Sequence, residues 1–248
     1  MANLAFSGLP GTCDTCPIRH SAVCSQCDSD ELTRLEQIKF YRTFEAGQPI
    51  VWAGDNMGFV ASVVTGVASL SQTMEDGRRQ MLGLLLPSDF IGRPGRPRSS
   101  FDVTAVSEVT LCCFRRQPFE ALIVEVPNLA SKLLDMILDE LDAAREWLLL
   151  LGRKTAREKI ASLLAMIARR SVKGNLADFA GPMTVDLPLK REVMADYLGL
   201  TLETVSRQMS ALKADGIILL EGKRQVRVPD IRRLIAETGD DVDGGLII

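Results

Sequence analysis

The sequence predicts an α+β fold in which antiparallel strands come first, one long helix follows, and a winged helix-turn-helix lies near the C-terminal end. Three observations indicate this order. Glycine turns recur about every ten residues from residue 40 to about 118, residues 128–151 contain neither glycine nor proline, and residues 189–228 hold two helical stretches and then a hairpin pattern. The length of 248 residues fits one large domain or two domains of ordinary size.

Composition excludes several classes of protein. Hydrophobic residues make up 46% of the chain and charged residues 25%, a globular balance that excludes intrinsic disorder. No apolar run reaches the roughly 18 residues that a membrane-spanning helix needs. The N-terminus lacks the pattern of a signal peptide, so we expect a cytoplasmic protein that does not contact a membrane. In a reducing cytoplasm, the six cysteines favour metal or redox chemistry over disulfides.

Four of these cysteines follow a C-x2-C-x7-C-x2-C pattern near the N-terminus. They are Cys13, Cys16, Cys24 and Cys27. Two cysteines separated by two residues can point both sulfurs at one metal centre. A structural zinc site, an iron–sulfur cluster and plain buried thiols are all compatible with this pattern. His20 lies inside the spacer, where we expect a solvated side chain. Because no orienting acid or oxyanion motif accompanies it, we do not expect an enzyme with a reactive cysteine.

The region after the cysteines begins with a helix and continues as strands. Residues 29–39 have helical spacing with Ser29 as the predicted N-cap. From residue 40 to about 118, short apolar runs alternate with turns, and Asp76-Gly77 predicts a hairpin. This pattern is typical of an antiparallel sandwich or barrel.

The remaining two cysteines, Cys112 and Cys113, are adjacent on the predicted strand Val109 to Phe114. Adjacent residues of a strand face opposite sides of the sheet. Only one of the two sulfurs can therefore face a given site, and the periodicity does not say which.

The strongest helical signal runs from Asn128 to Leu151. Its apolar residues recur at steps of three and four: Leu134, Ile137, Leu141, Ala144, Leu148 and Leu151. This spacing is the a/d seam by which one helix packs along another. Packing against the core of the same chain is the alternative. We expect a parallel homodimer through this helix. A second helix is predicted over residues 155–170.

Two shorter predicted helices, residues 189–197 and 201–214, are joined by Gly199, with Thr201 as the predicted N-cap of the second. This arrangement is typical of a helix-turn-helix, whose second helix enters the major groove of double-stranded DNA. The side chains expected to anchor that helix are Leu202, Val205, Met209 and Leu212. Those expected to face the bases are Glu203, Ser206, Arg207 and Ser210, since their groups can bond base edges.

A hairpin with a basic tip follows, from Ile217 to Val228, and is suited to contact phosphate as a wing. Charge along the chain supports a nucleic-acid partner. Residues 152–235 carry 16 Lys+Arg and 9 Asp+Glu, a net of +7, so the remainder carries −10 within the total of −3. Such an asymmetry is expected when one part of a chain meets nucleic acid.

The chain resembles the FNR-type transcription regulators of the cyclic-AMP receptor protein superfamily, in particular the FnrL/FnrN branch of alphaproteobacteria. The resemblance extends from Cys13 to about Val228. Besides the cysteines, three stretches carry it: LLPSDFIG (85–92), EWLLLLGRKTAREKIASLL (146–164) and YLGLTLETVSRQMSALKADG (197–216).

The resemblance implies four parts: a cluster-binding segment (1–28), a β-roll or jelly roll like that of cyclic-nucleotide-binding domains (29–120), a dimerisation helix (121–153) and a winged helix-turn-helix (154–248). It implies an oxygen-labile [4Fe–4S] cluster that controls activity. The implied ligands are Cys13, Cys16, Cys24 and Cys112, although the better-known spacing in the family is C-x2-C-x5-C. Zinc binding or a thiol-redox switch without iron is the alternative.

The resemblance also implies that Glu203, Ser206 and Arg207 read an inverted repeat similar to TTGA…TCAA, one half-site for each subunit. It implies contact with RNA polymerase through exposed loops, for which Met74 to Arg79 is a candidate. Two departures matter. Arg93 replaces the glutamate of the cyclic-nucleotide-binding relatives, so we expect no cyclic nucleotide. Ala144 replaces an acidic residue near the seam, which leaves open how strictly dimerisation depends on the cluster.

Overall fold

The computed structural model describes residues 12–171, 181–222 and 225–240. The chain divides into two units, Met1–Leu138 and Asp139–Ile248. Antiparallel sheets dominate the first unit, and the second holds a winged helix-turn-helix, so the predicted α+β fold is confirmed. Lys223 and Arg224 at the tip of the predicted wing lie outside the described residues, as do residues 241–248.

Residues 29–115 of the first unit form a short helix and eight strands in two antiparallel sheets. In chain order they are α1 Ser29–Ile38, β1 Lys39–Phe44, β2 Pro49–Val51, β3 Phe59–Thr65, β4 Ala68–Thr73, β5 Arg79–Leu85, β6 Phe90–Ile91, β7 Asp102–Ala105 and β8 Val109–Arg115. One sheet has the strand order β1-β8-β3-β6, and the other β2-β7-β4-β5. The predicted antiparallel arrangement is therefore a two-sheet β-roll.

The N-cap of α1 differs from the prediction. Asp28, not Ser29, precedes the helix, and its carboxylate accepts a hydrogen bond from the backbone N–H of Glu31 at 2.8 Å. The Glu31 carboxylate accepts in turn from the backbone N–H of Asp28 at 2.9 Å. This reciprocal pair is a capping box. The prediction of Ser29 as the N-cap was wrong. The carboxylate of Asp28, one residue earlier, accepts a hydrogen bond from a free backbone N–H at the start of the helix.

The hairpin predicted at Asp76-Gly77 is confirmed. Strands β4 and β5 pair antiparallel up to Thr73 and Arg79, and the turn lies between them. Gly77 has a φ of +84°, a conformation that glycine adopts without strain. The Asp76 carboxylate accepts a hydrogen bond from the backbone N–H of Arg78 at 3.1 Å, which fixes the turn locally.

Two apolar cores lie on the opposite faces of the β1-β8-β3-β6 sheet. The inter-sheet core fills the space toward the second sheet and includes Ala61, Val63, Leu111, Cys113 and Val103. The helix-side core covers the other face and includes residues of the cysteine segment and of the helices: Ile18, Ala22, Val23, Cys24, Cys27, Leu35, Val60, Val64, Cys112, Phe114, Phe119, Leu129 and Leu133. Strand alternation therefore assigns Cys112 and Cys113 to different cores.

Two helices follow β8: α2 Arg116–Glu125 and α3 Pro127–Arg153. The long helix predicted from Asn128 to Leu151 is confirmed, with Pro127 at its start, where a missing N–H costs nothing. Leu129 and Leu133 are buried in the helix-side core. No helix in the described part of the chain combines the length and apolar character needed to cross a bilayer.

The described part of the second unit contains the last turns of α3 and a small helical domain with a three-stranded sheet. Its elements are α4 Ala156–Ser171, β9 Met183–Asp186, α5 Arg191–Leu198, α6 Leu202–Ala214, β10 Leu219–Glu221, β11 Gln225–Val228 and α7 Ile231–Ala236. The strand order is β10-β11-β9, all antiparallel. Within this unit, the ring of Trp147 in α3 stacks on Tyr197 in α5, with centroids 3.9 Å apart.

Candidate metal centre and nucleic-acid interface

A small cavity lies between the cysteine segment, α1 and strands β1, β3 and β8. Four cysteines line it: Cys13, Cys16, Cys24 and Cys112. The rest of the lining consists of Ile18, Ala22, Leu35, Phe114, Tyr41 and Ser62. The structure thus brings together the four cysteines that the resemblance nominates as ligands, while Cys27 and Cys113 are not part of the lining.

Strand register explains why Cys112 reaches the cavity. Cys112 lies opposite Tyr41 of β1 on one side and opposite Ser62 of β3 on the other. Residues directly opposite each other on paired strands place their side chains on the same face of the sheet. Tyr41, Cys112 and Ser62 therefore form one row across three strands, and all three line the cavity. Cys113 faces the inter-sheet core instead.

Arg19 organises the loop that carries the third and fourth cysteines. Its guanidinium donates hydrogen bonds to three backbone carbonyls, those of Cys24 at 2.7 Å, Ser25 at 2.9 Å and Cys27 at 2.8 Å. A planar guanidinium with several fixed donors can bind several acceptors at once. The side chain therefore holds residues 24–27 in a tight turn, with Cys24 directed toward the cavity.

Lys39 and Glu36 surround the first cysteine. The Lys39 ammonium donates to Cys13 Sγ at 3.4 Å and to the Glu36 carboxylate at 2.9 Å. The same carboxylate accepts from the backbone N–H of Cys13 at 3.3 Å. The Lys39 side chain is only 8% exposed, so its charge acts on Cys13 with little screening by solvent. A positive charge at this distance favours a thiolate at Cys13.

Burial dominates the acidity of these thiols. It raises the pKa of Cys24 to about 11 and also raises the pKa of Cys13 and of Cys112. Without a bound cation, the buried thiols are therefore protonated at neutral pH. A set of four cysteine sulfurs is soft, and it suits zinc or iron–sulfur clusters rather than hard cations. Within the described ranges, no three Cys, His, Asp or Glu side chains converge closely enough to hold one metal ion.

The helix-turn-helix has the geometry that the sequence predicts. Gly199 ends α5 with a left-handed φ of +60°, and Thr201 caps α6 by accepting from the backbone N–H of Thr204 at 3.2 Å. Val205, Met209 and Leu212 are fully buried and anchor α6. Leu202 does not anchor the helix, since this first residue of α6 is 40% exposed and lies beyond the packed face.

The face of α6 opposite its buried residues is not covered by any other described part of the chain. Glu203, Ser206, Arg207 and Ser210 are all exposed there. Ser210 donates to the backbone carbonyl of Ser206 at 2.9 Å, so its hydroxyl already has an acceptor within the helix. Glu203, Ser206 and Arg207 thus form a polar face that can meet base edges. After α6, strands β10 and β11 form the predicted hairpin, in which Leu219 pairs with Arg227 and Glu221 pairs with Gln225.

The seam predicted on α3 is exposed in the single chain. Leu134, Ile137, Leu141 and Leu148 are 57%, 51%, 46% and 71% exposed. Packing against the chain's own core is therefore the wrong alternative for these four residues, whereas Leu151 at the end of the seam is half-buried. A row of exposed leucines at a/d spacing is the surface that a partner helix covers.

Some residues of the cavity escaped sequence reasoning. Arg19 and Lys39 carry no local signal, because their roles depend on which backbone and thiol groups folding places beside them. Ser62 did have a signal, since it is a hydroxyl between Val60 and Val64 on the same face of an otherwise apolar strand. His20 is exposed, as expected, and it is not part of the lining.

Comparison with known proteins places both units in described families. Residues 158–237 match the Crp-like helix-turn-helix domain, and residues 41–125 match the cyclic nucleotide-binding domain. The transcriptional activator protein FnrL of Cereibacter sphaeroides is 68% identical over 234 residues, 94% of each chain. A probable transcriptional activator of Rhizobium leguminosarum bv. viciae is 41% identical over 92% of this chain and 93% of its own length. The structure of FixK2 from Bradyrhizobium japonicum is similar with a TM-score of 0.72 and 31% identity, covering 82% of this chain and 99% of that one.

Proposed function

Because this chain belongs to the FNR-type DNA-binding regulators of the cyclic-AMP receptor protein superfamily, we propose that it is an oxygen-responsive transcription activator. It binds an inverted repeat of the TTGA type as a homodimer, and a [4Fe–4S] cluster controls its activity. The observation that carries the proposal is the convergence of Cys13, Cys16, Cys24 and Cys112 on one cavity.

The lining of the cavity fits an iron–sulfur cluster. Four sulfurs are the donors that such a cluster needs, and apolar neighbours keep most water away. When bound, the cluster supplies an oxygen-reactive redox centre. Cys13, Cys16, Cys24 and Cys112 would hold it, and Lys39 would offset part of its negative charge.

The cysteine segment connects the cavity with α3. Ile18, Ala22 and Val23 pack into the same helix-side core as Leu129 and Leu133 of that helix. Gln26 also donates to the carboxylate of Asp135 in α3 at 3.4 Å. A change in how firmly the segment is held at the cavity therefore reaches the beginning of α3 directly. An effector that stabilises one arrangement of the segment biases the association of the seam.

Dimerisation through the α3 seam links two reading helices, and each α6 offers Glu203, Ser206 and Arg207 to one half-site. Two linked half-site contacts bind far more tightly than one. We assign the exposed β4–β5 hairpin tip, Met74 to Arg79, to contact with RNA polymerase. The exposed Arg93 in place of a glutamate argues against a cyclic-nucleotide effector.

The proposal is tested by purifying the full chain without air. We expect a brown protein with broad visible absorption, iron and acid-labile sulfide, and bleaching in air. Two matched pairs sharpen the test. Cys112→Ala should lower the iron content about tenfold or more, as Cys24→Ala should, because each removes a ligand. Their neighbours Cys113→Ala and Cys27→Ala should retain iron. A colourless protein with one zinc ion would contradict the proposal and favour the zinc or thiol switch.

A further inference from the structure

Ser62 contributes a buried hydroxyl to the cysteine-lined cavity. The residue is 1% exposed, and its Oγ has no hydrogen-bond partner among the described residues. Ser62 lies directly opposite Cys112 across the β3–β8 pair, and both side chains line the cavity. Buried hydroxyls in folded proteins almost always have a partner, because an unsatisfied one costs free energy. An unpaired donor that faces a cavity indicates that the cavity's occupant supplies the acceptor.

The apolar surroundings of Ser62 make a hydroxyl unusual at this position. Its neighbours on the same face of β3, Val60 and Val64, are apolar and belong to the helix-side core. Alanine would fit this alternation equally well and would leave no polar atom unpaired. Other buried serines of the β-roll show the ordinary pattern, since Ser69 Oγ donates to the backbone carbonyl of Thr104 at 3.4 Å and Ser71 Oγ accepts from Arg79 Nε at 3.0 Å.

We propose that Ser62 is a positioning residue whose hydroxyl donates a hydrogen bond to a sulfur of the iron–sulfur cluster bound in the cavity, and that this bond slows the cluster's loss in air. The inference rests on the proposed function. A hydrogen bond to a sulfur withdraws electron density from it, and the number of such bonds helps to set the reduction potential of a cluster. A cluster that holds its electrons more tightly is oxidised more slowly.

The test compares Ser62→Ala with the wild-type chain in both the cluster-loaded and the cluster-free state. In the loaded protein, we expect the visible absorption to bleach about fivefold faster in air, the effect of one neutral hydrogen bond. The midpoint potential of the variant should also be lower. In the cluster-free protein, the melting temperature should be unchanged or higher, because the variant removes an unpaired polar atom. Ser62→Thr retains a hydroxyl and should bleach more slowly than Ser62→Ala.

Ser69→Ala is the matched control, because it removes a buried but paired hydroxyl in the other sheet. It should lower the melting temperature and leave the bleaching rate unchanged. Equal bleaching rates and potentials for Ser62→Ala and the wild type would overturn the role of Ser62 while the proposed function stands. A wild-type chain without iron and sulfide would overturn both.

Discussion

A difference of one residue along β8 decides which of two cysteine sulfurs lines the cavity. Cys112 and Cys113 are adjacent and both are buried, yet Cys112 faces the cysteine segment and Cys113 faces the inter-sheet core. Cys24 and Cys27 also differ, although both belong to the helix-side core: Cys24 lines the cavity and Cys27 does not. Burial raises the pKa of Cys113 to about 12 and that of Cys27 to about 12. Both thiols are therefore protonated at neutral pH, and neither lines the cavity.

On the DNA side, Arg207 is the residue whose loss should reduce sequence discrimination most. It is exposed on the free face of α6, and an arginine can bond the two acceptors of a guanine simultaneously. Arg207→Ala should reduce discrimination between the inverted repeat and a scrambled duplex by about 1–3 kcal/mol. Fluorescence anisotropy with both duplexes measures the difference.

Lys213→Ala provides the control for Arg207, because Lys213 is an exposed basic residue in the last turn of the same helix. Its loss should weaken binding to the two duplexes by similar factors, as expected for a phosphate contact. If Arg207→Ala also weakened both duplexes equally, Arg207 would not read bases.

The helix α3 changes its role along its length. Its first turns bury Leu129 and Leu133 in the helix-side core, whereas the a/d seam from Leu134 to Leu148 is exposed. A helix with exposed leucines at this spacing gains stability when a second copy covers them. The first turns of α3 thus belong to the core around the cavity, and we propose the exposed seam as the dimer interface.

A charge in the seam should therefore break the dimer. In a symmetric homodimer, Leu141→Glu removes one apolar side chain from each subunit. Each contributes about 1.5–3 kcal/mol, so the dissociation constant of the dimer should rise about 100-fold or more. Sedimentation under anaerobic conditions measures it. Val124→Glu is the matched control, since Val124 is 85% exposed in α2, outside the seam. A Leu141→Glu chain that associates like the wild type would exclude the seam as the interface.

The features that sequence alone could predict are those with local causes. The β4–β5 hairpin follows from Asp76-Gly77, and the N-terminus of α6 from Thr201. The position of Cys112 beside cysteines about ninety residues earlier in the chain has no local cause. It depends on the register of three strands, so spacing left Cys112 and Cys113 equivalent and only the family resemblance separated them. The error at Leu202 has a similar origin, since periodicity does not show where a packed face ends.

The separation of basic from acidic residues along the chain explains how a protein with a net charge of −3 can bind DNA. Residues 152–235 carry a net +7, and exposed members of this set include Arg207 on α6 and Arg227 on β11. Acidic groups elsewhere oppose this attraction only within about 8–10 Å in physiological salt, because dissolved ions screen longer distances.

Binding to the inverted repeat should therefore depend steeply on salt. With about six phosphate contacts, the affinity should fall about 10³-fold between 50 and 200 mM salt as condensed cations are released from the DNA. Arg227→Ala should lower the slope of log K against log salt by about one for each subunit. Arg78→Ala, in the exposed hairpin of the first unit, should leave that slope unchanged, since Arg78 lies outside the basic region 152–235. Anisotropy titrations over a salt series distinguish these outcomes. An affinity independent of salt would mean that the basic C-terminal part does not bind the phosphate backbone, and that the charge separation serves another purpose.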